Sequence, residues 1–313
     1  MNTRRIARPL GAFAKQWARP SYTRASISQQ IQHRAFSRTA RRNDGNQRPL
    51  PELTHAESFA KDGVAGLFST TGYQLGWITY QEMMLQKLDE LLAGEPDEKE
   101  DIKNLVLKYA RDPQNASVFN HASSAWNNHF FYQGMAPNPQ PLNRYKNIEN
   151  GLIGSFGSID TLRTTMLDTA ASMFGPGYVW LVYLPNIPGR EKGGYRILTT
   201  YAAGTPFPEA GHREQRIDAN NHTPESYSAY QNSVGAFGRS SAAARKAAKI
   251  PPGGTAAVPV LCVSTWEHSY IYDFGLTGKR KYLADWWDTI DWYRVEQRVP
   301  EQAKSEAMRA SLH

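Results

Sequence analysis

The spacing of apolar residues predicts helices in the first half of the chain. Between residues 73 and 92, leucine, isoleucine and methionine recur at helical intervals and would form one buried face. Gly94-Glu95-Pro96 then ends this helix. Similar patterns predict further helical regions, at residues 98–111, 116–134, 159–173 and 281–298. Residues 51–72 lack such a pattern, and we interpret them as an extended lead-in.

Strand patterns come later and decide the fold class. Ser158 is a suitable N-cap for the helix over 159–173, and Gly175-Pro176-Gly177 ends that helix. Three runs rich in β-branched and aromatic residues follow, at residues 178–184, 195–201 and 258–265. Helices followed by a small group of strands predict an α+β protein.

Composition supports a folded body and excludes a cysteine-based metal or disulfide framework. Hydrophobic residues make up 40% of the 313 residues, and there is a single cysteine. The net charge of +7 comes from the start of the chain, because residues 1–50 hold 11 basic residues and one acidic residue. Residues 51–313 carry a small excess of acidic residues, so their surface as a whole is not basic enough to bind RNA broadly.

Residues 1–45 have the composition of a mitochondrial transit peptide, since they are rich in Arg and Ser and almost free of acidic residues. We expect import into the mitochondrial matrix, with a mature chain starting between Ser37 and Asn46. The alternative is a basic arm that binds RNA.

Residues 209–254 differ from the rest, being rich in Ser, Ala, Asn and Gly, and we expect a long insertion. Their basic run, Arg239, Arg245, Lys246 and Lys249, is a candidate local RNA contact, as is Lys279-Arg280-Lys281. For each run the alternative is a solvated face.

Four segments, in order, resemble the iron/manganese superoxide dismutase family. They are residues 119–132 (FNHASSAWNNHFFY), residues 155–182, which end in FGPGYVWLV, residues 203–206 (AGTP) and residues 266–286, which begin with WEHSY. The fourth is similar to the family signature Asp-x-Trp-Glu-His-Ala-Tyr. The resemblance implies an N-terminal helical hairpin domain at 46–140, a C-terminal α+β domain with a three-stranded antiparallel sheet at 150–300, and a tail at 301–313.

In that family three histidines and one aspartate hold one metal ion. The matching positions here are Gly76, Asn128, Ser264 and His268, of which only His268 keeps the family's residue. An iron or manganese ion needs several such donors to offset its dehydration, so we expect no metal and no cofactor. His129 is a poor substitute for Asn128, because one step along a helix rotates a side chain by about 100°.

The positions around the implied metal site have changed as well. The family's tyrosine and histidine near the substrate channel fall on Met84 and Tyr80, and its glutamine falls on Ser124 or Phe174. We expect Met84 and Phe174 to fill the space left by the metal and its water.

The dimer signature of the family is retained. The resemblance implies that Glu267, His268 and Tyr270 lie at a two-fold interface, where Glu267 would meet a histidine or its replacement in a partner. The alternative is that these residues are relics of descent.

A metal-free relative with a transit peptide and an insertion resembles the superoxide dismutase-like subunits of the fungal mitochondrial small ribosomal subunit. The resemblance implies a structural role in mitochondrial translation, with a paralogous subunit, other small-subunit proteins and ribosomal RNA as partners. Two alternatives remain: a superoxide dismutase with an atypical site, and a free matrix dimer that acts as a binding module.

Overall fold

The computed structural model describes residues 47–185, 193–210, 257–301 and 303, all of which belong to one compact unit. The predicted transit peptide and Arg239, Arg245, Lys246 and Lys249 lie outside the described residues. The helices are α1 (Ala56–Asp62), α2 (Thr70–Tyr73), α3 (Tyr80–Leu92), α4 (Ile102–Tyr109), α5 (Ala116–Tyr132), α6 (Lys146–Phe156), α7 (Ile159–Ser172), α8 (Glu267–Phe274), α9 (Lys279–Trp287) and α10 (Trp292–Arg298). The strands are β1 (Gly177–Leu184), β2 (Gly194–Tyr201) and β3 (Val258–Ser264).

The predicted α+β class is confirmed by an antiparallel sheet of three strands in the order β2-β1-β3. β1 is the central strand and is buried along almost its whole length, because helices cover both faces of the sheet. On one face, Trp126 of α5 stacks on Trp180 of β1 at 6.0 Å between ring centroids. α7 also packs against β1. The three predicted strands match the observed strands to within one residue at each end.

Helix predictions succeed where caps are explicit. Ser158 caps α7 as expected, because its side chain accepts a hydrogen bond from the Thr161 N–H. α4 begins at Ile102, after Asp101 accepts bonds from the N–H groups of Lys103 and Asn104. The prediction over 98–111 therefore began too early.

Two expectations about elements were wrong, and one helix was missed. The lead-in over 51–72 contains α1 and α2, whose short length gives little periodicity to detect. The region over 281–298 is two helices, because a β-bridge between Ile290 and Met135 separates α9 from α10. α6 was not predicted at all; glycines at 151 and 154 weaken its helical pattern. The boundary between the two implied domains stays a prediction.

A partly buried arginine joins the helices to the sheet. The Arg298 guanidinium, from α10, lies 3.6 Å from the centre of the Phe130 ring. It donates hydrogen bonds to the carbonyls of Val260 in β3 and Phe130 in α5, both at 3.2 Å. These contacts fix α5 against β3, which positions Asn128 relative to the strand end at Ser264. None of the helices in the described part of the chain is long and apolar enough to cross a bilayer.

Candidate functional site

The four positions implied as metal ligands come from four different elements of the fold. Gly76 lies in a π-helical segment, Gln74–Thr79, which joins α2 to α3. Asn128 lies near the end of α5, Ser264 ends β3, and His268 is in the first turn of α8. π-Helical turns often occur where a family has, or had, a functional site.

A pair of amides links α3 to α5 at the centre of the site. Asn128 and Gln81 are completely buried, and Asn128 Nδ2 donates to Gln81 Oε1 at 3.1 Å. Asn128 Nδ2 also lies 3.3 Å from the carbonyl oxygen of Gly76, and Gln81 Nε2 donates to the carbonyl of Ala125 at 3.0 Å. The amide of Asn128 is therefore bonded to protein groups on the π segment and on α3.

The hydroxyl group of Tyr132 occupies the space beside Gly76. Tyr132 is completely buried, and a Cβ atom added at Gly76 would overlap its hydroxyl. Burial also raises the pKa of Tyr132, so this hydroxyl stays neutral. No side chain larger than hydrogen fits at position 76 unless Tyr132 moves.

Ser264 is bonded to its own chain neighbours. Its Oγ is 3.0 Å from Ser269 Oγ and accepts a hydrogen bond from the Trp266 N–H at 3.2 Å. Its carbonyl accepts a bond from the Tyr282 hydroxyl at 2.9 Å. Ser269 replaces the alanine of the family signature, so positions 264 and 269 together form a hydroxyl pair.

His268 is packed as an aromatic ring. Its imidazole stacks on Tyr80 with 3.8 Å between ring centroids and 14° between planes. Burial lowers the pKa of His268 to about 4, so the ring is neutral near pH 7. Burial also raises the pKa of Tyr80, an effect that a hydrogen bond with Ser124 opposes.

His129 does not take the place of a ligand. Its Nε2 is 3.1 Å from the carbonyl oxygen of Glu52, and its ring lies against Trp77 at 5.6 Å. Asn128, its neighbour on α5, instead bonds to Gly76 and Gln81. The two side chains thus reach different surroundings, as the rotation of about 100° per helical residue requires.

The expectation that Phe174 fills the site was wrong. Phe174 is 97% exposed, because it follows the end of α7 and precedes the Gly175-Pro176 turn. Met84 is buried and packs with Leu85 and Ala125, in a small cluster against which Tyr80 also packs. A buried glutamine is present in the site, but it is Gln81 from α3, which the sequence reasoning missed.

The residues implied at a dimer interface differ in exposure. Glu267 is exposed at the start of α8, and Ile271, one turn further on, is 38% exposed. Tyr270 is buried within the chain and stacks on Tyr282 at 4.8 Å. Glu267 is thus available to a partner, whereas Tyr270 mainly packs inside this chain.

Each residue of the basic run at 279–281 has an internal contact. Lys279 Nζ donates to the carbonyl of Met173 at 2.8 Å, and Lys281 Nζ lies 2.5 Å from the Asp285 carboxylate. Arg280 is 3.6 Å from Asp168 and its side chain is 79% exposed. Of the three, Arg280 presents the most accessible charge.

Across the ranges that the structure describes, no three His, Cys, Asp or Glu side chains come together as a possible metal site. At the four implied positions the side chains supply an imidazole, an amide and a hydroxyl. The amide nitrogen and the hydroxyl are engaged in bonds to protein groups, whereas Asn128 Oδ1 and His268 Nε2 are buried with no hydrogen-bond partner among the described residues. The arrangement holds helices and a strand together through neutral groups.

Comparisons with known proteins agree with this fold. Residues 240–298 match the model of the C-terminal domain of iron/manganese superoxide dismutases. Small ribosomal subunit protein mS42 of Schizosaccharomyces pombe is 31% identical over 205 residues, which cover 62% of this chain and 72% of that protein. Small ribosomal subunit protein mS43 of the same organism is 28% identical over 240 residues, 74% of this chain and 79% of that one. An iron superoxide dismutase of Babesia bovis is 26% identical over 211 residues, 66% of this chain and 75% of that enzyme.

The fold and the site define a protein of superoxide dismutase architecture whose central polar side chains bond largely to one another. The chain belongs to the superoxide dismutase-like family that includes the small ribosomal subunit proteins mS42 and mS43.

A methyl group at position 76 tests the close packing of Gly76 and Tyr132. We expect Gly76→Ala to lower the free energy of unfolding by about 1–3 kcal/mol, because an extra carbon must displace a buried hydroxyl. In a Tyr132→Phe background the same change should cost less. Denaturant unfolding of the four proteins measures the coupling.

Gly154→Ala in α6 is the matched control, since a Cβ atom there meets nothing within 4 Å. It should leave stability unchanged or raise it slightly, because Ala favours helix over Gly. Equal costs of Gly76→Ala with and without the Tyr132 hydroxyl would contradict the overlap.

Proposed function

We propose that this chain is a structural, non-enzymatic component of the small subunit of a mitochondrial ribosome and acts in mitochondrial translation. The observation that carries the proposal is its similarity to mS42 and mS43, each matched over more than 70% of the relative's length. The Arg-rich, acid-poor start of the chain supports delivery to the mitochondrial matrix.

The site supports a role without redox chemistry. Three of the four family ligands are replaced, by Gly76, Asn128 and Ser264, and none of these brings the charge or basicity of imidazole or carboxylate. Gly76 has no room for a side chain beside Tyr132, and the Ser264 hydroxyl is bonded to Ser269. These residues do not fit an iron or manganese ion, so no dismutation step is assigned to them.

The assembly proposal is a heterodimer with a paralogous subunit, in which Glu267 contacts the partner. Two relatives of the same family, mS42 and mS43, occur in one organism, which supports pairing between paralogues. Exposed Glu267 and half-exposed Ile271 lie on one side of α8, and Tyr272 and Leu276 nearby are 57% and 84% exposed. A carboxylate that lies on the same helical segment as several exposed apolar side chains is suited to a protein partner.

Contact with ribosomal RNA is proposed to be local. Arg280 is the best-placed cation among the described residues of the basic run, because Lys279 and Lys281 are held by Met173 and Asp285. Arg239, Arg245, Lys246 and Lys249 remain sequence-based candidates for the same role.

Sedimentation tests the ribosomal assignment. In mitochondrial extracts resolved on a magnesium-containing gradient, the tagged chain should migrate with the small-subunit RNA. When low magnesium splits the ribosome, it should follow the small subunit and not the large one. A matrix enzyme in the same gradient serves as the control for free protein. A chain that stays with that enzyme at the top would instead be a free matrix protein.

Replacing Glu267 tests the paralogue interface. We expect Glu267→Ala to weaken the heterodimer by roughly 30-fold or more, about 2 kcal/mol, since removing one member of a desolvated charged contact leaves its partner unpaired. Analytical ultracentrifugation of the chain mixed with its paralogue measures this change. Asp288→Ala, which removes another exposed carboxylate, should leave affinity unchanged. Full affinity of Glu267→Ala would remove Glu267 from the interface.

A further inference from the structure

Strand β2 is an edge strand of the sheet and pairs only with β1 among the described strands. Edge strands expose a row of backbone N–H and C=O groups that another chain can pair with. Proteins usually protect such edges with side chains, helices or loops. Among the described residues, the outward backbone groups at the Tyr195 end of β2 are bonded, whereas those of Ile197 and Thr199 are not.

One hydrogen bond shows which N–H and C=O groups of β2 point away from β1. The Tyr195 N–H donates to Ser155 Oγ of α6 at 2.9 Å and therefore points away from β1. Because bonding direction alternates along an antiparallel strand, the N–H and C=O groups of Ile197 and Thr199, and the N–H of Tyr201, point away from β1 as well. The other side of β1 is consistent with this, since the Gly177 carbonyl faces β3 and accepts from the Thr265 N–H at 2.8 Å.

The outward groups near Tyr195 have partners. Ser155 accepts from the Tyr195 N–H, and Arg196 donates to the Tyr195 carbonyl at 2.8 Å. The Tyr201 carbonyl accepts from the Gly204 N–H at 2.8 Å. Between them, no hydrogen bond formed within residues 47–185, 193–210 or 257–303 reaches the outward groups of Ile197 and Thr199. Among the described residues, the outward groups of Ile197 and Thr199 and the N–H of Tyr201 therefore have no hydrogen-bond partner.

A shallow groove of about 460 Å³, with a mixed polar and apolar lining, lies beside this part of β2. Its walls are α7, which contributes Thr165, Asp168 and Thr169, and β2, which contributes Thr199 and Tyr201. The carboxylate of Asp168 is 65% exposed, and its ion pair with Arg280 is long, at 3.6 Å. The groove therefore offers hydroxyl groups and one accessible negative charge.

We propose that an extended segment of a partner protein adds to β2 as a fourth strand and places a Lys or Arg side chain near Asp168. A peptide backbone is the partner whose alternating donors and acceptors match those of Ile197 and Thr199. The Pro176 carbonyl accepts a hydrogen bond from the Ala202 N–H, just after β2 ends at Tyr201. Phe174, two residues before Pro176, is therefore close to this end of β2 in the chain path, and it is 97% exposed. The proposal does not depend on the ribosomal assignment, because any assembly that holds the chain could supply the strand.

Site-specific photo-crosslinking tests the added strand. Tyr201, which is 56% exposed, is replaced by p-benzoylphenylalanine in the full-length chain, and the native assembly is irradiated and mapped by mass spectrometry. We expect crosslinks to one contiguous segment of a different protein. Thr199→Pro should lower the yield about fivefold, because it removes one outward N–H without touching the ladder to β1. Asp168→Asn should lower the yield about two- to fivefold.

Thr199→Val, which keeps the N–H, is the matched control and should retain the yield. Equal yields for the Pro and Val variants would overturn the proposal. So would crosslinks to RNA, to a second copy, to residues 1–46 or 211–256 of the same chain, or to nothing. Sedimentation of the same samples reports ribosome association separately, so failure of either proposal can be recognised on its own.

Discussion

The hydrogen bond between the buried amides of Asn128 and Gln81, at 3.1 Å, is the interaction on which the centre of this protein depends. Most buried polar groups in proteins are hydrogen-bonded, and the Nδ2 and Nε2 groups of this pair bond α5 to α3 and to the π segment at Gly76. We propose that in an enzyme of this family a metal ion draws the same elements together. Here neutral amides and hydroxyls connect them.

The residues at the proposed ligand positions fit the side chains around them. Glycine at 76 leaves room for the Tyr132 hydroxyl, and serine at 264 bonds to a serine at 269. His268 is kept, but its ring is stacked on Tyr80 and burial holds it neutral. At the surface, α8 presents the exposed Glu267, and β2 presents backbone groups of Ile197 and Thr199 that have no hydrogen-bond partner among the described residues.

The sequence was sufficient for the strands and the longer helices, whereas the assignment of the four central positions as former metal ligands stays a prediction. Alternation and explicit caps such as Ser158 are local signals, so they could be read directly. The amide pair was missed because Gln81 and Asn128 are 47 residues apart and meet only after α3 packs on α5. Phe174 was placed wrongly because alignment gives a position along the chain, whereas the turn at Gly175 decides where the side chain points. Serine at 269, in place of the signature alanine, was a usable signal for the hydroxyl pair.

The metal content of the native chain tests the central claim most directly. The chain purified from mitochondria without chelators, and analysed by inductively coupled plasma mass spectrometry, should contain far less than one iron or manganese atom per molecule. A family enzyme purified in parallel should contain close to one. A stoichiometric iron or manganese atom in this chain, lost when His268 is replaced by alanine, would contradict the account.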